Sequence, residues 1–215
     1  MDNNITYKFE KFDEIEKKIL DEEETLKHLS FFYQGVPKDK RKALYKDIDT
    51  LAKYAFENHT TYYLTFYKQD KPFVSVNSGD GIFDLSFLSS NEEGNIVRFL
   101  KMNFVRIDMQ KLFKEGIYEL LPNHQSFLNQ IVIFSKNETE SIRKELEFIP
   151  KNKKNTEDKL IVIELRHSEK DGSRKKTVEE TTEIDLSKNY FKAPQHFYDY
   201  EHLFDYESIL NQIRK

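Results

Sequence analysis

The sequence predicts an α+β fold, in which an antiparallel sheet of about five to seven strands carries helices packed on one face, two of them N-terminal. Three observations lead to this prediction. Runs rich in β-branched and aromatic residues fill the middle of the 215-residue chain. Short turn signals separate these runs, and strands joined so tightly must be antiparallel, because a parallel crossover needs about a dozen residues. Segments with helical spacing of apolar residues flank the runs.

Two helices are predicted before the first strand. In the first, from about Tyr7 to Leu29, apolar residues such as Phe9 and Phe12 recur at roughly helical spacing among Lys and Glu. The second follows Pro37, which suits a first helical turn. Its apolar stripe is the clearest in the chain and consists of Leu44, Ile48, Leu51, Ala52, Ala55 and Phe56.

The strand region begins at Thr60–Tyr67, which is almost wholly β-branched and aromatic. Turn signals at Gln69–Pro72 and Asn77–Gly81 separate it from two more strands, Phe73–Val76 and Ile82–Leu88. The later predicted elements are a strand, or else a helix, at Ile96–Ile107, a helix at Met109–Leu121 capped by Asp108, a strand at Phe127–Phe134, a helix from Asn137 or Thr139 to about Phe148, a hairpin of Leu160–Arg166 with Lys176–Leu186, and a short C-terminal helix.

The chain is predicted to divide at residue 188. Residues 1–188 form a single α+β domain with an N-terminal helical pair. Residues 189–215 form an aromatic and acidic C-terminal segment that packs either on the domain or on a partner. Seven aromatic rings crowd into this segment: Tyr190, Phe191, Phe197, Tyr198, Tyr200, Phe204 and Tyr206.

The absence of cysteine excludes several chemistries. A disulfide framework, a cysteine-ligated zinc or iron–sulfur site and a thiol nucleophile all need that side chain. No other cluster predicts a metal or an organic cofactor. The N-terminal stretch Met1–Lys18 is polar and acidic, unlike a signal peptide, and no run approaches the length of a membrane span. The sequence therefore predicts a cytoplasmic protein without a cofactor or a membrane-spanning segment.

The net charge of −4 disfavours nucleic-acid binding, because neutralising phosphates needs a basic surface. Two basic stretches, Lys151–Lys154 and Arg174–Lys176, could contact nucleic acid or an acidic partner. Few aromatic residues are interleaved with them, so stacking on bases is not indicated. A solvated loop and hairpin are the favoured interpretation.

Two more patterns favour a structural interpretation. Asn77–Gly81 lacks the spacing of a phosphate or calcium loop and is predicted to be a hairpin turn. Glu164 and Arg166, with Asp158 upstream, only partly match the carboxylate pattern of a metal-dependent nuclease. An ion pair across strands on the solvent side of the sheet is favoured instead.

Two His-x-Thr/Ser tripeptides stand near the starts of predicted strands and pair His59 with Thr61 and His124 with Ser126. These tripeptides resemble the paired motifs of the two-histidine phosphoesterases. Residues two apart on a strand share a face, so the resemblance implies that all four side chains point into one cleft. It further implies that one imidazole acts as a base and the other as an acid.

The favoured hypothesis is a non-enzymatic cytoplasmic protein that binds another protein, in the manner of an immunity-type or anti-defence-type inhibitor. Tyrosine is favoured at interfaces because its ring is rigid and its tip polar, and an acidic surface attracts a basic partner. The alternative is a two-histidine phosphoesterase that uses the tripeptides above. The predicted partner-binding residues are Tyr198, Asp199, Tyr200, Glu201, Asp205 and Tyr206.

Overall fold

The computed structural model describes residues 5–32, 36–45, 48–79, 81–182 and 184–214. Strands make up 46% of the structure and helices 23%. The strands in these ranges are β1 (Ile5–Lys8), β2 (Lys11–Asp13), β3 (Lys18–Leu20), β4 (Tyr62–Lys68), β5 (Lys71–Gly79), β6 (Ile82–Ser90), β7 (Ile96–Val105), β8 (Gln125–Lys136), β9 (Glu140–Ile149), β10 (Lys159–Ser168), β11 (Arg174–Thr181) and β12 (Tyr190–Lys192).

One large antiparallel sheet dominates the fold. Its strand order is β1-β4-β5-β6-β7-β8-β9-β10-β11, and β12 pairs with the start of β8, which makes ten strands. β2 and β3 form a separate two-stranded sheet. From β4 to β11 the order in space follows the order in the chain. The predicted sheet of five to seven strands behind two N-terminal helices was therefore wrong.

The described ranges contain five helices. None of them is both long and apolar enough to cross a bilayer. They are α1 (Glu22–Phe32), α2 (Lys38–Leu44), α3 (Ile48–Glu57), α4 (Met109–Glu115) and α5 (Tyr206–Arg214), with short 3-10 turns at Pro122–His124, Leu186–Asn189 and Glu201–Leu203.

The first predicted helix is mostly strand. β1, β2 and β3 occupy its first two thirds, and α1 begins only after Asp21, whose carboxylate accepts the Glu24 backbone N–H at 2.8 Å. Phe9 and Phe12 are buried in two different clusters, while Ile15 is 91% exposed. These residues therefore share no helix face, although their spacing suggested one.

The predicted helix from Asn137 or Thr139 to Phe148 is also wrong, since this segment forms β9. Strand alternation is present in the sequence, with Ile142, Leu146 and Phe148 at even positions and charged residues between them. β9 hydrogen-bonds to β8 on one side and β10 on the other. The two neighbouring strands favour the strand conformation, because the backbone N–H and C=O groups of β9 then form hydrogen bonds on both sides.

Several other predictions are confirmed by the structure. β4, β5, β6, β7 and β8 lie where strands were predicted, and β10 with β11 form the predicted hairpin. Asp108 caps α4 by accepting the backbone N–H groups of Gln110 and Lys111, and Gly116 ends it with a left-handed φ of 67°. The second predicted helix is split into α2 and α3.

The two faces of the sheet differ in polarity. One face carries a continuous row of apolar residues, in which each member lies opposite the next on the adjacent strand. α3 and the C-terminal segment pack on this face. The other face carries a smaller apolar cluster containing Phe12 and Phe99. The row consists of Leu64, Val76, Leu85, Met102, Ile131 and Leu146.

Candidate functional site

Both predicted histidines line one cleft of about 250 Å³. It lies where the end of α3, the residue after β7, the start of β8 and residues 193–195 meet. Five of the lining residues are apolar. The polar ones are His59, Arg106, His124, Gln125 and Gln195, and no carboxylate occurs among the described lining residues.

His59 is positioned by the end of α3. Its backbone N–H donates to the Phe56 carbonyl at 3.3 Å, and the next N–H, of Thr60, donates to the Ala55 carbonyl at 2.8 Å. These bonds turn the chain through a left-handed conformation at His59, with φ of 53°. Glycine usually occupies such a position after a helix. A histidine there is strained, and strained residues cluster at functional sites.

His124 lies at the end of a 3-10 turn, directly before β8, and also has a φ of 53°. Its carbonyl accepts the Ala193 backbone N–H at 2.6 Å, which ties the C-terminal segment to the cleft. Ala193 and Pro194 in turn form part of the cleft wall. The start of β8 and the C-terminal segment therefore build this side of the cleft together.

The hydroxyls of the two tripeptides do not join the histidines in the cleft. Ser126 is fully buried and donates to the Phe191 carbonyl at 3.3 Å. Thr61 packs against Gly79 and does not line the cleft. The left-handed backbone at each histidine breaks the strand alternation that would have placed the hydroxyl beside the imidazole. The cleft thus contains the two histidines that resemble those of the two-histidine phosphoesterases, but not the two hydroxyls.

Arg106 is the cleft residue that the sequence did not single out. One terminal nitrogen of its guanidinium lies 3.2 Å from His59 Nδ1, and the group sits 5.3 Å from the Phe56 ring centroid. Its backbone N–H donates to the Gly81 carbonyl at 2.7 Å, and its carbonyl accepts the Leu121 N–H at 2.7 Å. The sequence signal that could have identified Arg106 is its position directly after an apolar strand.

The Arg106 charge is buried without a carboxylate beside it. The residue is only 8% exposed, and its Nε has no hydrogen-bond partner among the described residues. No described acid lies within salt-bridge distance of it. Because a buried charge is costly unless it is paired, this arrangement favours an anion in the cleft.

A pair of buried tyrosines lies near the guanidinium. The Tyr62 and Tyr200 hydroxyls are 2.5 Å apart. Burial raises the pKa of both, and the Arg106 charge opposes that shift without reversing it. Both phenols therefore stay neutral at neutral pH and do not offset the Arg106 charge.

Comparison with known proteins identifies no relative. No family model, curated protein or solved structure matches the chain. The interpretation of the cleft therefore depends on its own geometry. Within the described ranges, no group of three or more His, Asp or Glu side chains could hold a metal ion.

Acidic groups line a different cavity, of about 390 Å³, under the β2–β3 hairpin on the opposite face of the sheet. There Asp84 accepts the Asn103 side-chain amide at 2.6 Å, and burial raises the pKa of the Asp84 carboxyl. Nearby, Lys101 pairs with Glu14 at 2.5 Å. Of these two cavities, only the cleft of Arg106 lacks a carboxylate among its described lining residues.

Of the residues predicted to bind a partner, some are buried or half-buried in the structure and others are exposed. Tyr200 is 1% exposed, so it cannot contact a partner in this conformation. Tyr206 is half-buried against Phe87, with ring centroids 4.9 Å apart. Asp199 is half-buried and accepts the Gln195 backbone N–H at 3.0 Å. The exposed members are Tyr198, Glu201 and Asp205.

The other sequence patterns have structural roles. Asn77, Ser78 and Gly79, which were predicted to belong to a hairpin turn at Asn77–Gly81, instead continue β5 and pair with β6. Arg166 Nε donates to Glu164 Oε1 at 2.7 Å, so the predicted ion pair forms within one strand. Arg166 also lies 3.7 Å from Glu140 on the adjacent strand.

Proposed function

We propose that the protein binds a small phosphate-bearing anion in the cleft of His59, Arg106 and His124. The observation that carries this proposal is a buried arginine that lacks a carboxylate among the described residues and lines a cleft between two histidines. A bound anion would supply the counter-charge that the described residues do not place beside Arg106.

Phosphate suits this group of donors better than a carboxylate does. Arginine presents planar N–H groups whose geometry matches that of phosphate oxygens. The two imidazoles and the side-chain amides of Gln125 and Gln195 add donors to the remaining oxygens. Cavities for drug-sized ligands are usually larger, at about 300–1,000 Å³, so a compact phosphate monoester is the expected ligand size.

The proposal is binding and not hydrolysis. A two-histidine phosphoesterase would need both hydroxyls beside the imidazoles, and Ser126 and Thr61 lie elsewhere. Among the described lining residues, no serine, threonine or carboxylate is available as a nucleophile. Hydrolysis by the histidines alone remains the enzymatic alternative, and assaying the binding ligand for turnover tests it.

Calorimetric titration with inorganic phosphate and with glycerol phosphate tests the proposal. We expect the Arg106→Gln variant to bind about 10- to 100-fold more weakly, because it loses charge-assisted hydrogen bonds. His124→Gln removes an exposed side chain from the cleft, so the fold should tolerate it. A loss of about threefold to tenfold is expected for it.

His28→Gln provides the matched control, because this exposed histidine lines the acidic cavity on the opposite face of the sheet and not the cleft. The affinity of this control variant for phosphate should equal that of the wild type. Sulfate should compete if the site recognises the tetrahedral anion. Equal binding by the wild type and a folded Arg106→Gln variant would refute the proposal, and so would the absence of any binding.

The second candidate is the protein-binding function, and a pair of exposed tyrosines favours it. Tyr7 and Tyr198 are 41% and 48% exposed and both contact Phe197, at centroid distances of 6.5 and 4.9 Å. Exposed tyrosines in contact suit an interface. We propose that this patch, with the acidic Glu201 and Asp205, would bind a basic protein in the cytoplasm.

Affinity capture with purified basic candidate proteins tests the second function. The double variant Tyr7→Ala with Tyr198→Ala should lose the captured partner, and added salt should weaken capture because charge steers it. Tyr118→Ala is the matched control, since Tyr118 is 69% exposed on another part of the surface. Unchanged capture by the double variant would exclude this patch as the interface.

A further inference from the structure

One edge of the large sheet is open along its full length. β11 is the terminal strand, and it pairs only with β10 among the described strands. All eight of its residues, Arg174–Thr181, are exposed. Such an edge presents unpaired backbone N–H and C=O groups, which form a template for another strand.

The charges along β11 are arranged so that the strand complements itself. Its first half is basic, with Arg174, Lys175 and Lys176, and its second half holds Glu179 and Glu180. A parallel copy would place like charges side by side. An antiparallel copy places the basic half of each strand against the acidic half of the other.

We propose that two copies of the chain form a dimer by antiparallel pairing of β11 with β11. A two-fold axis normal to the sheet keeps each residue on the same face in both copies, so one residue must lie opposite its own counterpart. With Thr177 on the axis, Lys175 lies opposite Glu179 of the second copy. Arg174 then lies opposite Glu180, which gives four opposed charge pairs across the two-fold interface.

The surroundings of Lys175 and Glu179 within one chain support a second copy of the chain as the partner of β11. Lys175 lies directly opposite Arg166 of β10, a like charge, and makes no salt bridge with a described residue. Glu179 faces the apolar Val162 and also lacks a salt bridge in the described ranges. Cross-strand pairs of opposite charge stabilise a sheet, whereas like charges destabilise it. The second copy would supply the opposite charge that each side chain lacks.

Other registers of the β11–β11 pairing oppose fewer residues of opposite charge. Moving the axis by one residue to Val178 opposes only Lys176 with Glu180 and brings Glu179 against Thr177. Lysines on an edge strand also disfavour indiscriminate pairing with other sheets. Two paired strands bury less area than a standard protein interface, so the dimer is expected to be weak and to depend on concentration. This inference is independent of the function proposed for the cleft.

Sedimentation velocity over a concentration series, up to about 1 mM, measures the dimer and its dissociation constant. Lys175→Glu and Glu179→Lys each turn two attractive pairs into repulsive ones by symmetry. We expect each single variant to dimerise about tenfold more weakly. The double variant exchanges the charges in both copies, so it should restore dimerisation to within about threefold of the wild type.

Lys170→Glu serves as the control, because it makes the same charge change in the exposed turn between β10 and β11. It should dimerise like the wild type, and added salt should weaken the wild-type dimer. A protein that stays monomeric over the whole series would overturn the proposal. Failure of the double variant to recover, or an equal loss in Lys170→Glu, would overturn it as well.

Discussion

His59 and His124 owe their positions in the cleft to the backbone conformation of single residues. Both have a φ of 53°, at the point where a helical turn passes into a strand. A histidine in regular strand conformation would share a face with the residue two positions on, and the cleft would then contain hydroxyls. The left-handed turns separate each imidazole from its hydroxyl and bring the histidines toward Arg106. The described lining of the cleft therefore contains both imidazoles and the guanidinium but neither hydroxyl.

Gly79 provides a prediction at the same scale. A Cβ at this position would lie 2.8 Å from Thr61 Cα and 2.9 Å from Thr61 N, which are backbone atoms and cannot move cheaply. We expect Gly79→Ala to lower the free energy of unfolding by about 3 kcal/mol. Urea denaturation measures this value.

Gly172→Ala is the reference for that experiment, because a Cβ there has no neighbour within 4 Å and only its φ of 69° resists substitution. Its expected cost is about 1 kcal/mol. An equal loss in both variants would show that close packing on Thr61 does not constrain β5.

The C-terminal segment shows how one element can have two roles. β12 pairs with β8, and Tyr200, Leu203 and Ile209 are buried in the main cluster. Residues 193–195 form a wall of the cleft. Only part of the segment, including Tyr198, is free to contact another molecule. The segment therefore completes the core before it can contribute to an interface.

Two substitutions in this segment should separate the roles. Tyr200→Ala removes a fully buried ring and its hydrogen bond to Tyr62, and it should cost about 3–5 kcal/mol of stability. Tyr198→Ala should cost about 0.5–1 kcal/mol, because this ring is 48% exposed. Thermal denaturation measures both. Similar losses in the two variants would contradict the packing described for the segment.

The elements differ in how well the sequence predicted them. Thr60–Tyr67 was recognisable as a strand because its β-branched and aromatic residues suit a buried pleated surface on either face. The segment of β9 was mistaken for a helix because Ile142 and Leu146 are four residues apart, a spacing that helices and strands share. Pairing with β8 and β10 decided between them. Such pairing is a long-range property that no local window contains.

The whole molecule depends on a sheet whose apolar face holds much of its aromatic core. Phe66, Phe83 and Phe104 are each 1% exposed or less, and Tyr62 is buried on the same face, whereas Tyr63 is buried on the opposite face. Buried tyrosine hydroxyls make the free energy of unfolding depend on pH in the alkaline range. Burial raises the pKa of Tyr63 to about 12 and that of Tyr62 well above its usual value.

Stability should therefore fall as the pH rises from about 10 toward 12. A phenol in the unfolded chain loses its proton near pH 10, whereas Tyr63 in the folded chain keeps its proton until about 12. The folded state then binds more protons than the unfolded state, so the free energy of unfolding decreases with pH. Urea denaturation at a series of pH values measures the slope.

Tyr63→Phe should make this slope shallower, because it removes one phenol whose pKa differs between the two states. Tyr118→Phe is the control, since Tyr118 is 69% exposed and should leave the slope unchanged. A wild-type stability that stays constant across this window would contradict the burial of the phenols.

The sequence by itself determined the local features: most of the strands, the cap of α4, the β10–β11 hairpin and the exclusion of cysteine chemistry. These follow from propensities and hydrogen bonds within a few residues. The tertiary structure alone decided that His59, Arg106 and His124 share a cleft, that Tyr200 is core, and that β11 is an open edge. Each of these depends on which distant segments pair and on which face they cover, because burial and charge are properties of the assembled sheet.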